Sequence, residues 1–203
     1  MKRSSLVSLL SVGLLAVVAS PALGATTMTP ATNPATAACA APALTTALAA
    51  FGDWRSYFVA PGGDFESRAR GWTLTGGAAA SPGSGPLRPG AAANSLRLPA
   101  GATATSPAFC VDLNYPTFRF FSTKGNAPLS VDVIYPALGS KKPRATTVKG
   151  GAAGWTLAKD VDLRPAVVTK DAGWRLVQLR FLAGAGARGD WLVDDVLIDP
   201  KMR

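Results

Sequence analysis

The chain has 203 residues, enough for one ordinary domain with an appendage and too few for two full domains. Hydrophobic residues make up 48% and charged residues 16%, with a formal net charge of +9, a balance that excludes a wholly disordered chain. Histidine is absent, which excludes Ser-His-Asp and Cys-His triads and every histidine-containing zinc site.

Lys2 and Arg3 precede an apolar run from Leu6 to Val18, and Ala22-Leu23-Gly24 supplies the small residues of a cut ahead of Ala25. This layout predicts a secretory signal peptide over residues 1–24 and a secreted, extracellular or surface-associated product. The run is too short to span a bilayer, and no later segment is long and apolar enough to do so. Residues 25–37 are almost entirely Ala, Thr and Pro without charge, a composition expected of a flexible tail. The folded domain is then expected over 38–203. Cys39 and Cys110 are the only cysteines, and an even pair in an exported chain predicts a disulfide that staples the N-terminal segment to the body. Between Pro42 and Phe51 one or two helical turns are expected, with Leu44, Leu48 and Phe51 on one side.

After Trp54 the pattern changes to short β runs separated by Gly and Pro. The runs are 57–59, 72–75, 95–98, 108–113, 117–122, 129–135, 146–149, 156–158, 174–182 and 191–198. Short strands at close spacing, with no long helical period to supply crossovers, predict an all-β fold of two antiparallel sheets, a β-sandwich. Alternation places Leu129, Val131, Val133 and Tyr135 on a core face, together with Val177, Leu179, Phe181, Phe118 and Phe120. Arg119, Asp132, Gln178 and Arg180 then fall on outward faces, and form one polar ligand-binding patch if their three strands are neighbours in a single sheet.

Two motif groups carry a resemblance. Ala60-Pro61-Gly62-Gly63-Asp64-Phe65-Glu66 followed by Gly71-Trp72, and the ending Trp191-Leu192-Val193-Asp194-Asp195-Val196, resemble the first and last strands of galactose-binding-like jelly-roll domains, including carbohydrate-binding modules. With Ser106-Pro107-Ala108-Phe109-Cys110-Val111, Phe118-Arg119-Phe120-Phe121 and Leu179-Arg180-Phe181 the set also resembles a group of small secreted actinobacterial proteins. The resemblance covers about residues 38–200. It implies a jelly-roll sandwich and a structural Ca²⁺ held by carboxylates near both ends, here Asp64, Glu66, Asp194 and Asp195. All-oxygen ligation by carboxylates and turn carbonyls suits that ion. The plainer alternative pairs Glu66 with Arg68 or Arg70 and leaves the two aspartates capping a solvated strand.

Three functions stay open at this point. A glycan- or cell-wall-polymer-binding module needs aromatic platforms and a few fixed polar groups, for which Trp54, Trp72, Trp155, Trp174 and Trp191 are available with the polar patch. An adhesion-type surface protein would draw anionic envelope polymers through its net positive charge, densest at Lys141, Lys142, Arg144 and Lys149 in an expected loop. Catalysis is the weakest: Asp64/Glu66 or Asp194/Asp195 are the close carboxylate pairs that could cleave a glycoside, but adjacent strand residues Asp194 and Asp195 are expected to point to opposite faces, and Ser84 has no base beside it. The scattered basic residues, without a recognition helix or aromatic RNA-binding motif, argue against nucleic acid.

Overall fold

A computed structural model of the chain describes residues 39–88, 93–136, 140–149, 152–163, 173–186 and 188–199. The expected signal peptide and the tail over 25–37 lie outside the described residues. In chain order the strands are β1 (Phe58–Val59), β2 (Thr73–Thr75), β3 (Ala79–Pro82), β4 (Asn94–Leu98), β5 (Thr103–Thr105), β6 (Phe109–Val111) and β7 (Thr117–Lys124). They continue with β8 (Leu129–Tyr135), β9 (Ser140–Val148), β10 (Ala152–Leu157), β11 (Val161–Asp162), β12 (Arg175–Ala183) and β13 (Trp191–Asp199).

Two antiparallel sheets result. The seven-stranded sheet runs β10-β7-β13-β4-β3, with β11 on the β7 edge beyond β10 and β1 on the β13 edge beyond β4. The six-stranded sheet runs β2-β5-β12-β8-β9, with β6 continuing the edge of β12 beyond β5. The first and last strands meet: Phe58 pairs with Ile198 and Val59 with Leu197.

Alternation drives the packing. Leu129, Val131, Val133 and Tyr135 of β8, Val177, Leu179 and Phe181 of β12, and Phe118 and Phe120 of β7 all enter one buried core. Phe120 from one sheet meets Phe181 from the other edge-on, ring centroids 5.1 Å apart, and Trp72 and Phe65 extend the contact. Each such side chain contributes roughly 1.5–3 kcal/mol through its removal from water, so the faces lock by hydrophobic area with no inter-sheet charge required.

Three strands escape the sequence pattern. β3 (Ala-Ala-Ser-Pro), β5 (Thr-Ala-Thr) and β11 (Val-Asp) lack a run of β-branched or aromatic residues and are extended because β4, β12 and β7 offer them ladders. β9 is longer than expected and carries Lys141, Lys142 and Arg144 on a strand, not in a loop. Its register against β8 shifts between the Val133–Lys142 and Val131–Thr146 pairs, around Pro143, which has no N–H for the ladder and is tolerated on an edge strand with a bulge.

The N-terminal segment also differs from expectation. Only Ala49–Phe51 is helical, a single 3₁₀ turn ended by left-handed Gly52. Leu48 is fully buried, whereas Leu44 and Phe51 face water. Thr45 and Tyr57 exchange backbone hydrogen bonds of 2.8 and 2.7 Å, folding residues 45–57 into a strap. That strap lies over the outer face of the seven-stranded sheet, where Leu48 and Tyr57 pack with Phe121 and Leu197 in a cluster separate from the main core. A helix would have buried three apolar residues on one side; the sheet offers this short segment room for Leu48 alone.

The Cys39–Cys110 disulfide is present, with Cα atoms 5.7 Å apart, and fastens the start of the strap to β6. Closing a loop of 71 residues stabilises by about 4 kcal/mol through the unfolded chain's entropy. Replacing both cysteines by serine is expected to lower the unfolding free energy by roughly that amount, read by urea denaturation. A loss well under 1 kcal/mol would mean that the strap is held by its side chains alone.

Candidate functional site

The outer face of the six-stranded sheet carries hydroxyls in cross-strand rows. Directly paired residues of an antiparallel sheet share a face, so one row reads Thr73, Thr105, Arg180, Asp132 and the next Thr75, Thr103, Leu182, Ser130, Thr147. Thr75 and Thr103 hydroxyls are 2.7 Å apart, and Ser130 and Thr147 hydroxyls 3.4 Å. Arg180 donates from Nη2 to Asp132, which is buried beneath it, while its Nε meets no acceptor among the described residues. Gln178, one step along β12, donates to the Ser106 carbonyl at 3.0 Å, and the Ser106 hydroxyl accepts the Leu179 N–H at 2.9 Å.

Three of the four predicted patch residues, Asp132, Gln178 and Arg180, thus share this face. Arg119 does not. Its strand, β7, belongs to the seven-stranded sheet, and its side chain points to the strap side beside Phe121. The four-residue patch is therefore corrected to three residues: alternation fixes inside against outside, but carries no information on which sheet a strand joins. The two Thr-x-Thr segments, 73–75 and 103–105, were the overlooked signal, each placing two hydroxyls on one face.

Arg119 instead enters an ion network under the strap. Asp53 accepts from Arg55 Nη2, Arg119 Nη1 and the Tyr57 hydroxyl, each at 2.8 Å. Arg55 reaches on to Asp160 at 3.1 Å and to the buried Asp199 at 2.5 Å. The Arg55 hydrogen bonds hold the Asp53 carboxyl well below the usual carboxylate range, while burial pushes Asp199 upward against the pull of Arg55. Tyr57 is pushed up to about 12, chiefly by burial, and acts as a donor.

The carboxylates assigned to calcium gather at a break in the edge of β13. β4 pairs with residues 191–193 and β1 with 197–198; between them Asp195 is left-handed (φ 48°) and the register against β7 shifts. Two turns fill the gap. Val196 exchanges backbone hydrogen bonds with Ala60 and Gly63, and Gly85 donates its N–H to Asp194. Both aspartates are fully buried, contrary to the alternative of a solvated strand end. Asp195 takes Arg88 on Oδ1, and its Oδ2 has no partner among the described residues. Burial, reinforced by the charges of Glu66 and Asp64, pushes Asp194 up to about 7. Glu66 accepts the Asn94 N–H at 3.2 Å. Oxygen donors of the kind Ca²⁺ takes are thus assembled, but among the described residues no three metal-ligating side chains converge on a common centre.

No family model and no curated protein matches the chain. Solved structures that resemble it include a family 28 carbohydrate-binding module specific for non-crystalline cellulose (14% identity, TM-score 0.43, covering 70% of this chain and 94% of that one). Another is the family 11 carbohydrate-binding module of a cellulosomal cellulase from Clostridium thermocellum (11% identity, TM-score 0.37, covering 66% and 88%). A third is an arabinose-bound α-L-arabinofuranosidase (19% identity, TM-score 0.40), of which the match covers only 23% while covering 64% of this chain.

The buried Asp194 carries a pH signature. Its folded-state value lies above its unfolded one, so its contribution to stability is greatest below about pH 4 and is lost as pH rises toward 7. Asp199 acts in the same direction, and the lowered Asp53 acts only at more acidic pH. In EDTA the melting temperature is expected to fall between pH 5 and pH 8, and Asp194→Asn to flatten that slope. A melting temperature rising over this range would contradict the assignment.

Proposed function

We propose that the chain is a secreted, non-catalytic domain that binds a glycan or cell-wall polymer on the outer face of its six-stranded sheet. The carrying observation is the pair of cross-strand hydroxyl rows around Arg180, a fixed array of donors and acceptors. Sugar hydroxyls are recognised by such groups when the protein side is already ordered, because little side-chain entropy is then lost on binding. A non-catalytic role is supported by the burial of Asp194 and Asp195, one of the two close carboxylate pairs, where a glycosidic bond would not reach them.

Electrophoresis through gels containing neutral or anionic polysaccharides tests this reading. Retardation of the wild-type chain is expected, weakened about tenfold or more by Arg180→Ala. Thr73→Val with Thr105→Val, which keeps side-chain shape and removes two hydroxyls, should weaken it in the same direction. A folded wild-type chain retarded by none of the polymers overturns the proposal in favour of a structural surface-interaction protein.

A structural Ca²⁺ at the β13 break forms the second part of the proposal, favoured by the buried Oδ2 of Asp195, which has no partner among the described residues. Asp194 and Asp195 would offer it oxygens, the charges of Asp64 and Glu66 would favour it, and the ion would supply positive charge beyond that of Arg88. A higher melting temperature in Ca²⁺ than in EDTA is expected; identical values would leave Arg88 as the sole counter-cation.

A further inference from the structure

The five tryptophans divide sharply. Trp72 and Trp191 are core residues whose indole N–H groups donate to the carbonyls of Pro61 and Ala127 at 3.0 and 2.9 Å. Trp174 stacks on Tyr115, and Trp155 packs half-buried against the strap cluster. Trp54 alone stands out from the surface, 74% exposed, with no ring contact or side-chain hydrogen bond among the described residues. Burying an indole would remove some 150–250 Å² from water, worth several kcal/mol at about 25 cal/mol per Å². The fold forgoes that gain here.

The exposed indole is nonetheless held on a rigid base. Its neighbours on both sides, Asp53 and Arg55, are the most heavily bonded residues of the strap. Asp53 accepts from five donor groups: the Arg55 backbone N–H, Arg55 Nε and Nη2, the Tyr57 hydroxyl and Arg119 Nη1. Arg55 is anchored further to Asp160 and Asp199. A tryptophan on a fixed backbone has two rotatable bonds to order, so a flat ligand face can settle on it at small entropic cost. Phe51, 50% exposed and resting against Phe121 with centroids 5.6 Å apart, lies three residues away and adds apolar surface to the strap.

From these observations we propose that the strap is a second binding site, for an uncharged sugar, with Trp54 as its stacking platform. The proposal rests on the reading that the chain binds a glycan, and deepens it by naming the class. Charge selects that class. Asp53, Asp160 and Asp199 outnumber Arg55 and Arg119, so despite the chain's +9 this patch has no surplus of positive charge to draw a polyanion. An uncharged pyranose pays no such penalty: its C–H face meets the indole, and its hydroxyls find the half-exposed Asp160 carboxylate at the rim. The strap site lies outside the seven-stranded sheet and the Arg180 face outside the six-stranded one, so one domain engages polymer on both sides.

The test is retardation of the oxidised full chain in gels of a neutral β-glucan, xylan or galactomannan, beside polygalacturonate. Trp54→Ala is expected to weaken retardation by at least one neutral polymer about tenfold, with Trp54→Phe recovering part of it. The melting temperature should hold, because an exposed indole contributes no core packing. Retardation of Trp54→Ala equal to that of wild type overturns the strap site and leaves the Arg180 face standing. The converse, loss with Trp54→Ala and none with Arg180→Ala, keeps the strap site and removes the other. Retardation by polygalacturonate alone, indifferent to Trp54, overturns the choice of an uncharged ligand, and a wild-type chain retarded by no polymer overturns both sites.

Discussion

β13 is the constraint on which the seven-stranded sheet depends. Along one edge it pairs with β7; along the other it pairs first with β4 and then with β1. Where β13 changes partner from β4 to β1 its register against β7 also shifts, and left-handed Asp195 lies in that break. At the break Ala60 and Gly63 satisfy the backbone groups of Val196, and the Gly85 N–H donates to the Asp194 carboxylate. Gly63 and Gly85 sit in tight quarters: a Cβ on Gly63 would lie 3.0 Å from Val196 Cβ, and one on Gly85 3.2 Å from both aspartate carboxylates, so the neighbours would have to give by a few tenths of an ångström. The buried carboxylates, the turn sequence Pro61-Gly62-Gly63-Asp64-Phe65 and the pairing of the chain's first and last strands are therefore one arrangement.

Much of this was legible in the residues. The alternations in β7, β8 and β12 are strong because both faces differ in chemistry, and they identified the core correctly. The cysteine pair was legible because compartment and parity leave few alternatives. What escaped was set by partners distant in sequence. Ala79–Pro82 has no intrinsic strand signal, Thr103–Thr105 is too short a run to stand out, and Arg119 reads like Arg180 until the sheet order separates them. The strap is a similar case: Leu44, Leu48 and Phe51 have helical spacing, but a 45–57 hairpin tied by Asp53 and Tyr57 competes better for the segment.

Charge is used sparingly and locally. With only twelve acidic residues in the chain, Asp53, Asp132, Asp160, Asp190, Asp195 and Asp199 are each matched to an arginine. Guanidinium suits this use, since its planar fork satisfies several carboxylate oxygens at once and stays charged when partly buried. Among the described residues the result is four separate polar centres: the strap network, the Arg180–Asp132 pair, the Arg97–Asp190 pair, and the carboxylates at the β13 break. Each sits on a different part of the sandwich, which is why the two outer faces differ in chemistry even though they enclose the same core.

The sulfur bridge has a mechanical consequence. Tension entering the chain ahead of Cys39 crosses directly to Cys110 and so into β6 and β12, bypassing everything between. β1, held to β13 by only two residue pairs, lies inside the covalent ring closed by the bridge and carries none of that load. A domain pulled from that end would resist through the long ladders of β12 and would keep its strap, and the indole it carries, in place while under strain.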